Sequence, residues 1–170
     1  TVTYAKWSPK GGTILVESGI AAAEEFWTVN ADGTDLHRIG EGAGATWSPD
    51  GREVAILAND EISIVGKDGS PRRTIRIGLR QGEYPDTVAS WSPDGNWIAI
   101  NVLDAKGSGQ VAVVGAHGEG PAQLLGSKLT PPSSESFAAW SPEGKKIAFI
   151  RSRQDDNGGD DRVLRVAEPL

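Results

Sequence analysis

The chain contains no cysteine and no methionine. Without cysteine there is no disulfide framework, no thiol nucleophile and no cysteine-ligated zinc. Without methionine even at position 1, a processed or excised piece of a longer chain is expected. Histidine occurs only at His37 and His117. The first falls in an expected outer strand and the second in a tight turn of a different repeat, which argues against a shared metal site or a serine–histidine couple. No Gly-x-Ser-x-Gly elbow is present, and Lys106-Gly107-Ser108-Gly109 has only a passing likeness to one. No apolar run approaches the roughly 18 residues a spanning helix needs, so membrane insertion is not expected. Positive charge is also in short supply: 17 Lys and Arg against 23 Asp and Glu leave a net charge of −6. The basic residues are scattered rather than gathered in a stripe, so nucleic acid is not an expected partner.

Glycine, proline and tryptophan are what the chain has. Its 170 residues include 22 glycines, 10 prolines and 6 tryptophans, a composition suited to many short strands joined by tight turns. Four of the tryptophans, Trp7, Trp47, Trp91 and Trp140, open a Trp-Ser-Pro-x-Gly run at steps of 40, 44 and 49 residues. Self-similarity at that period marks a repeat array rather than a single core.

The second repeat is the cleanest. Pro49-Asp50-Gly51 turns the chain, because proline pre-sets φ, aspartate bonds its own backbone and glycine accepts φ > 0. Glu53-Val54-Ala55-Ile56-Leu57-Ala58 then reads as a buried strand, Asn59-Asp60 as a two-residue hairpin and Ile62-Ser63-Ile64-Val65 as its partner. Asp68-Gly69 leads to Thr74-Ile75-Arg76-Ile77, an alternating outer strand. The other repeats follow the same plan. The fourth stops after Val163-Leu164-Arg165-Val166 and lacks its outer strand. The expected fold is all-β: a β-propeller, or part of one, of about four antiparallel four-stranded blades at approximately 1–41, 42–84, 85–132 and 133–170. The repeating tryptophan is expected to wedge between neighbouring blades. Pro49, Pro93 and Pro142, with Gly51, Gly95 and Gly144, are expected to shape the turns.

Trp47-Ser48-Pro49-Asp50-Gly51 and Trp91-Ser92-Pro93-Asp94-Gly95 resemble the TolB-type, WD-like propeller repeat, as does Trp140-Ser141-Pro142-Glu143-Gly144 followed by Lys146-Ile147-Ala148-Phe149. The first repeat departs from it, with Lys10 where the acid belongs, and Ala116-His117-Gly118 replaces an Asp-Gly turn in the third. The resemblance covers essentially the whole chain. It implies a non-catalytic scaffold that binds a protein or peptide in a periplasmic or other extracytoplasmic compartment, with no cofactor. The alternative is the gating propeller of a prolyl-oligopeptidase-like hydrolase whose catalytic domain lies elsewhere. Such propellers usually carry six to eight blades. Three arrangements are therefore open: a fragment of a larger ring, two copies closing an eight-bladed ring as a homodimer, or a compact four-bladed ring.

A meander puts the Trp-Ser-Pro turns and the Asp-Gly turns on one face. The long connections fall on the other: Ser18 to Glu25, Leu79 to Thr87, Asp104 to Gly109, Ser127 to Ser136 and Ser152 to Asp161. Uneven loops are where such scaffolds bind. Arg80, Tyr84, Phe137 and Arg153 are the expected anchors, since arginine and aromatic residues dominate binding hot spots. Asp50, Asp94 and Glu143 recur with the turn and are read as turn formers. The acidic run Asp155 to Asp161 lacks calcium-loop spacing and is read as a solvated hairpin tip rather than a metal site.

Overall fold

The computed structural model describes residues 2–19, 24–125, 133–154 and 160–168. It contains strands and no helix among them. The first blade is the sheet β1 (Val2–Trp7), β2 (Thr13–Ser18), β3 (Glu24–Asn30) and β4 (His37–Gly42). The second is β5 (Gly44–Trp47), β6 (Glu53–Ala58), β7 (Glu61–Gly66) and β8 (Pro71–Arg76). The third is β9 (Glu83–Trp91), β10 (Trp97–Asp104), β11 (Gly109–Gly115) and β12 (Gln123–Leu124). The fourth holds three strands, β13 (Ser133–Trp140), β14 (Ile147–Gln154) and β15 (Asp160–Ala167). Every pairing is between sequence neighbours and antiparallel.

The sequence of each strand states its depth. β6 is apolar from Val54 to Leu57 and buried on both faces, as a middle strand between packed blades must be. β8 reads Pro-Arg-Arg-Thr-Ile-Arg and buries Ile75 alone, the pattern of an outer strand. Two strands run further than the sequence suggested. β9 begins at Glu83 and β13 at Ser133, inside stretches read as connectors. The long β10 supplies the missing partners, pairing Asp104 with Glu83 and Leu103 with Tyr84. Register shifts on either side of Ile100–Asn101 absorb Pro85, which has no N–H for the ladder.

The signature turn is a closed hydrogen-bond unit. In the second blade the Gly51 N–H donates to Ser48 O at 2.9 Å and the Glu53 N–H to Ser48 Oγ at 3.0 Å. Ser48 Oγ in turn donates to Asp50 Oδ1 at 2.6 Å. The third blade repeats the set, with the Gly95 N–H on Ser92 O at 3.0 Å and the Trp97 N–H on Ser92 Oγ at 2.9 Å. In the fourth, Ser141 accepts from the Gly144 N–H at 2.8 Å and the Lys146 N–H at 3.0 Å. Serine thus works inside the turn as donor and acceptor at once. The glycine has a second reason beyond its φ of +67°. A Cβ at Gly51 would stand 2.4 Å from Ser8 Oγ of the preceding blade.

Each blade has a leading face, carrying the signature tryptophan, and a trailing face. Blades pack leading face on trailing face. Trp47, Val54 and Ile56 meet Leu15 and Phe26 of the first blade. Trp91, Ile98 and Ile100 meet Ala55, Ile62 and Ile64 of the second. Ile147 and Phe149 meet Ala99, Val111 and Val113 of the third. Polar bonds cross the same seams: the Trp47 indole N–H donates to Lys6 O at 3.2 Å, and Ser90 Oγ to Ala138 O at 3.2 Å. Arg73 holds Glu53 in a two-pronged pair at 3.1 Å and donates from Nε to Ala116 O at 2.9 Å, tying the second blade to the third. The wedge role expected of the tryptophans fits Trp47 and Trp91, which are buried, and Trp140, which is half-buried. It does not fit Trp7, which is exposed, since among the described residues no blade packs on the leading face of the first. Among the described residues, no apolar cluster joins the fourth blade to the first.

Candidate functional site

Strand polarity fixes the two faces of the array. Arg80 and Tyr84 sit exposed where β8 passes to β9, with the Arg80 N–H donating to Glu83 Oε2 at 3.1 Å. Arg153 lies at the same end of the fold, opposite Ser133 and Asp161 in the ladders of β14. Phe137 lies within β13, at the register shift between Ser136 and Ala139, and not in a connector. The side chains of Phe137 and Arg153 fall outside the described residues, as does the acidic segment 155–159. The loop face therefore brings Arg80 and Tyr84 together, and places the backbone of Arg153 at the same end one blade further on.

The clefts lie on the opposite face. The larger, about 840 Å³, opens where the signature turns of the first two blades meet the β7–β8 turn. Lys10 and Gly11 form one side, Asp50, Gly51 and Arg52 the second, and Lys67, Asp68 and Arg72 the third. Four cations stand against two carboxylates, so this cleft carries a formal +2 in a chain of net charge −6. Both carboxylates are engaged by their own turns. Asp50 accepts from Ser48 Oγ and from the Arg52 N–H at 3.1 Å. Asp68 accepts from the Ser70 N–H at 3.1 Å and from the Ser70 hydroxyl. The bond from Ser48 chiefly holds the Asp50 carboxyl below the usual carboxylate range, and Ser70 does the same for Asp68. Arg52 lies 3.9 Å from Asp50 and is otherwise free to reach outward. The first repeat's departure from the motif matters here, since Lys10 puts a cation where the others place an acid.

A second cleft, about 510 Å³, sits at the same level between the third and fourth blades. It is lined by Asp94, Glu143 and Glu168 against Lys145 and Lys146, with Trp97 and Trp140. The two clefts thus differ in charge sign, and the first is the cationic one. Sequence reading missed Arg52, Lys67 and Arg72 because they are far apart in the chain and unremarkable singly. His37 and His117 are exposed on different blades. Among the described residues, no three His, Asp or Glu side chains are grouped to hold a metal ion.

The turn carboxylates predict an acid response. Asp50 and Asp94 are held low by Ser48 and Ser92, and Glu143 chiefly by its own amide. A carboxyl whose pKa is depressed by folding stabilises the fold above its unfolded value, and that contribution is lost as pH falls through the folded one. The melting temperature is expected to hold steady from neutrality and to drop below about pH 4. The double variant Asp50→Asn/Asp94→Asn should show a shallower acid limb in the same melting series. An unchanged limb would show that other groups set it.

No family model matches the chain. In sequence it is similar to coronin-7 of Bos taurus, 24% identical over a 136-residue alignment that covers 74% of this chain and 14% of that protein. In structure it is similar to the putative TolB of Agrobacterium tumefaciens, with a TM-score of 0.62 and 18% identity over 99% of this chain and 69% of that one. It is also similar to the β-propeller domain of the trilobed protease of Pyrococcus furiosus, with a TM-score of 0.61 and 13% identity over 99% of this chain and 56% of that one. The chain spans a small part of its curated relative and a larger part of these propellers. At such identities the likeness shows the fold, and the chain is a β-propeller module whose described residues form three four-stranded blades followed by one of three strands.

Proposed function

We propose that this single propeller segment, residues 1–170, is a non-catalytic binding scaffold that takes an acidic stretch of a protein or peptide partner outside the cytoplasm. The observation that carries this reading is the cationic cleft at the seam of the first two blades. Its shape is open, its walls are turns pinned by internal hydrogen bonds, and its carboxylates are already engaged by serines. Lys10, Arg52, Lys67 and Arg72 remain to meet carboxylates, with arginine suited to two-pronged recognition. The loop face with Arg80 and Tyr84 is the second candidate surface on the same scaffold. The likeness to a protease's propeller domain keeps the gating alternative open.

Titration with a short poly-glutamate peptide, followed by amide chemical shifts, tests the reading. Shifts are expected at Lys10, Gly51, Arg52 and Lys67, to weaken with added salt, and to vanish in Lys10→Glu/Arg52→Glu. Silence in the cleft, or shifts confined to Arg80 and Tyr84, would overturn it.

A further inference from the structure

The first signature turn keeps the backbone of the others and lacks their acid. Its Gly11 N–H donates to Ser8 O and its Ser8 N–H to Thr13 O, both at 2.9 Å, as Gly51 and Ser48 do in the second turn. In the second and third turns an aspartate completes this frame. Asp50 Oδ1 accepts from the Ser48 hydroxyl at 2.6 Å and from the Arg52 N–H at 3.1 Å. Asp94 Oδ1 accepts from the Ser92 hydroxyl at 2.5 Å and from the Asn96 N–H at 3.0 Å. Lys10 stands at that position in the first turn, and its ammonium can only donate. Two donors are left over as a result. The Ser8 hydroxyl accepts from the Lys10 N–H at 3.4 Å and, among the described residues, donates to nothing. The Gly12 N–H, counterpart of those of Arg52 and Asn96, likewise has no acceptor among them. Ser8 is 5% exposed and its Oγ faces Gly51 across the seam. A buried donor without a partner is costly, and the second and third turns avoid that cost.

We propose that a side-chain carboxylate of an acidic peptide takes the place of the missing turn acid, accepting from Ser8 Oγ and the Gly12 N–H beside the Lys10 ammonium. This names the anchoring subsite of the cationic cleft, and it rests on that cleft being the peptide-binding site. The place faces the cleft, since Ser8, Lys10, Gly11 and Thr13 form one of its walls. Asp94, which follows its signature tryptophan by the same three residues as Lys10, lines the second cleft in the same way. The carboxylates already in the first cleft do not fill the place. Asp50 and Asp68 are bonded within their own turns. The chemistry is one the fold displays twice, a carboxylate taking one hydroxyl and one amide of a signature turn. Bonds to an ionised acceptor are shorter and roughly twice as strong as neutral ones. One carboxylate is thus read by fixed donors, and Arg52, Lys67 and Arg72 meet those that follow it.

Dissociation constants and amide shifts with a short poly-glutamate peptide, amidated at its C-terminus, read the outcome. On the wild-type chain the Gly12 amide should shift together with those of Arg52 and Lys67. Lys10→Asn and Lys10→Ala remove the same charge, and only the first gives the Ser8 hydroxyl an acceptor within its own turn. Lys10→Ala should weaken binding less than about fivefold, as loss of one exposed charge does. Lys10→Asn should weaken it about tenfold or more and silence the Gly12 amide, because the subsite is then filled from inside. Ser8→Ala should lose about as much as Lys10→Asn with every charge intact. Three results would overturn the subsite and leave the cleft reading standing: the two Lys10 variants binding alike, Ser8→Ala binding as the wild type, or Gly12 silent while Arg52 and Lys67 shift. Silence of the whole cleft would remove both.

Discussion

Trp91→Ala should leave the chain unfolded or close to it. Trp91 is buried at the middle seam against Ala55, Ile62 and Ile64, and its indole N–H donates to Gly95 O of its own signature turn at 3.0 Å. Truncating a buried tryptophan removes its burial and leaves a cavity the seam cannot close, a cost of about 3–5 kcal/mol. Whole domains hold only about 5–15 kcal/mol. The same substitution at Trp7 should cost the isolated chain less than about 1 kcal/mol, as a surface change does. Urea denaturation of the two variants side by side makes the comparison. Equal losses would mean that the tryptophans serve their own turns rather than the seams, and an unchanged Trp91→Ala would remove the wedge role entirely.

Arg151→Met should be nearly as damaging, for an electrostatic reason. Glu135 is buried in β13 at the seam between the third and fourth blades. Its carboxylate accepts from Arg151 Nε at 3.0 Å and from the Val111 N–H at 3.3 Å across the seam. Removing the arginine strands a buried charge, which costs about 3–5 kcal/mol. Glu135→Gln placed on top of Arg151→Met should recover most of that loss. The amide keeps an acceptor for the Val111 N–H and no longer needs a counter-charge. If the double variant were no more stable than Arg151→Met, packing of the arginine stem would be the term that matters. A double-mutant cycle from denaturant midpoints decides between the two.

Much of the fold is legible because its determinants are local. Serine, proline, an acid and glycine close a turn within six residues, as the bonds around Ser48 and Ser92 show. Strand depth is legible for the same reason, since β6 is buried and apolar from Val54 to Leu57 whereas β8 buries Ile75 alone. Glu135 was not legible. Nothing nearby in the chain marks it as buried, and its partners come from β14 and from a different blade. The clefts were not legible for a related reason. Loop length drew attention to Arg80 and Tyr84, whereas the clefts formed where short turns from separate blades meet.

The sequence by itself determined the period, the turns and the alternation of each strand, because each depends on residues a few positions apart. Tertiary structure alone decided which of four equivalent tryptophans is exposed, where Lys10, Arg52, Lys67 and Arg72 converge, and which carboxylate is buried. Those outcomes depend on what stands across a seam, and a repeat writes the same local code on a face whether or not another blade comes to cover it.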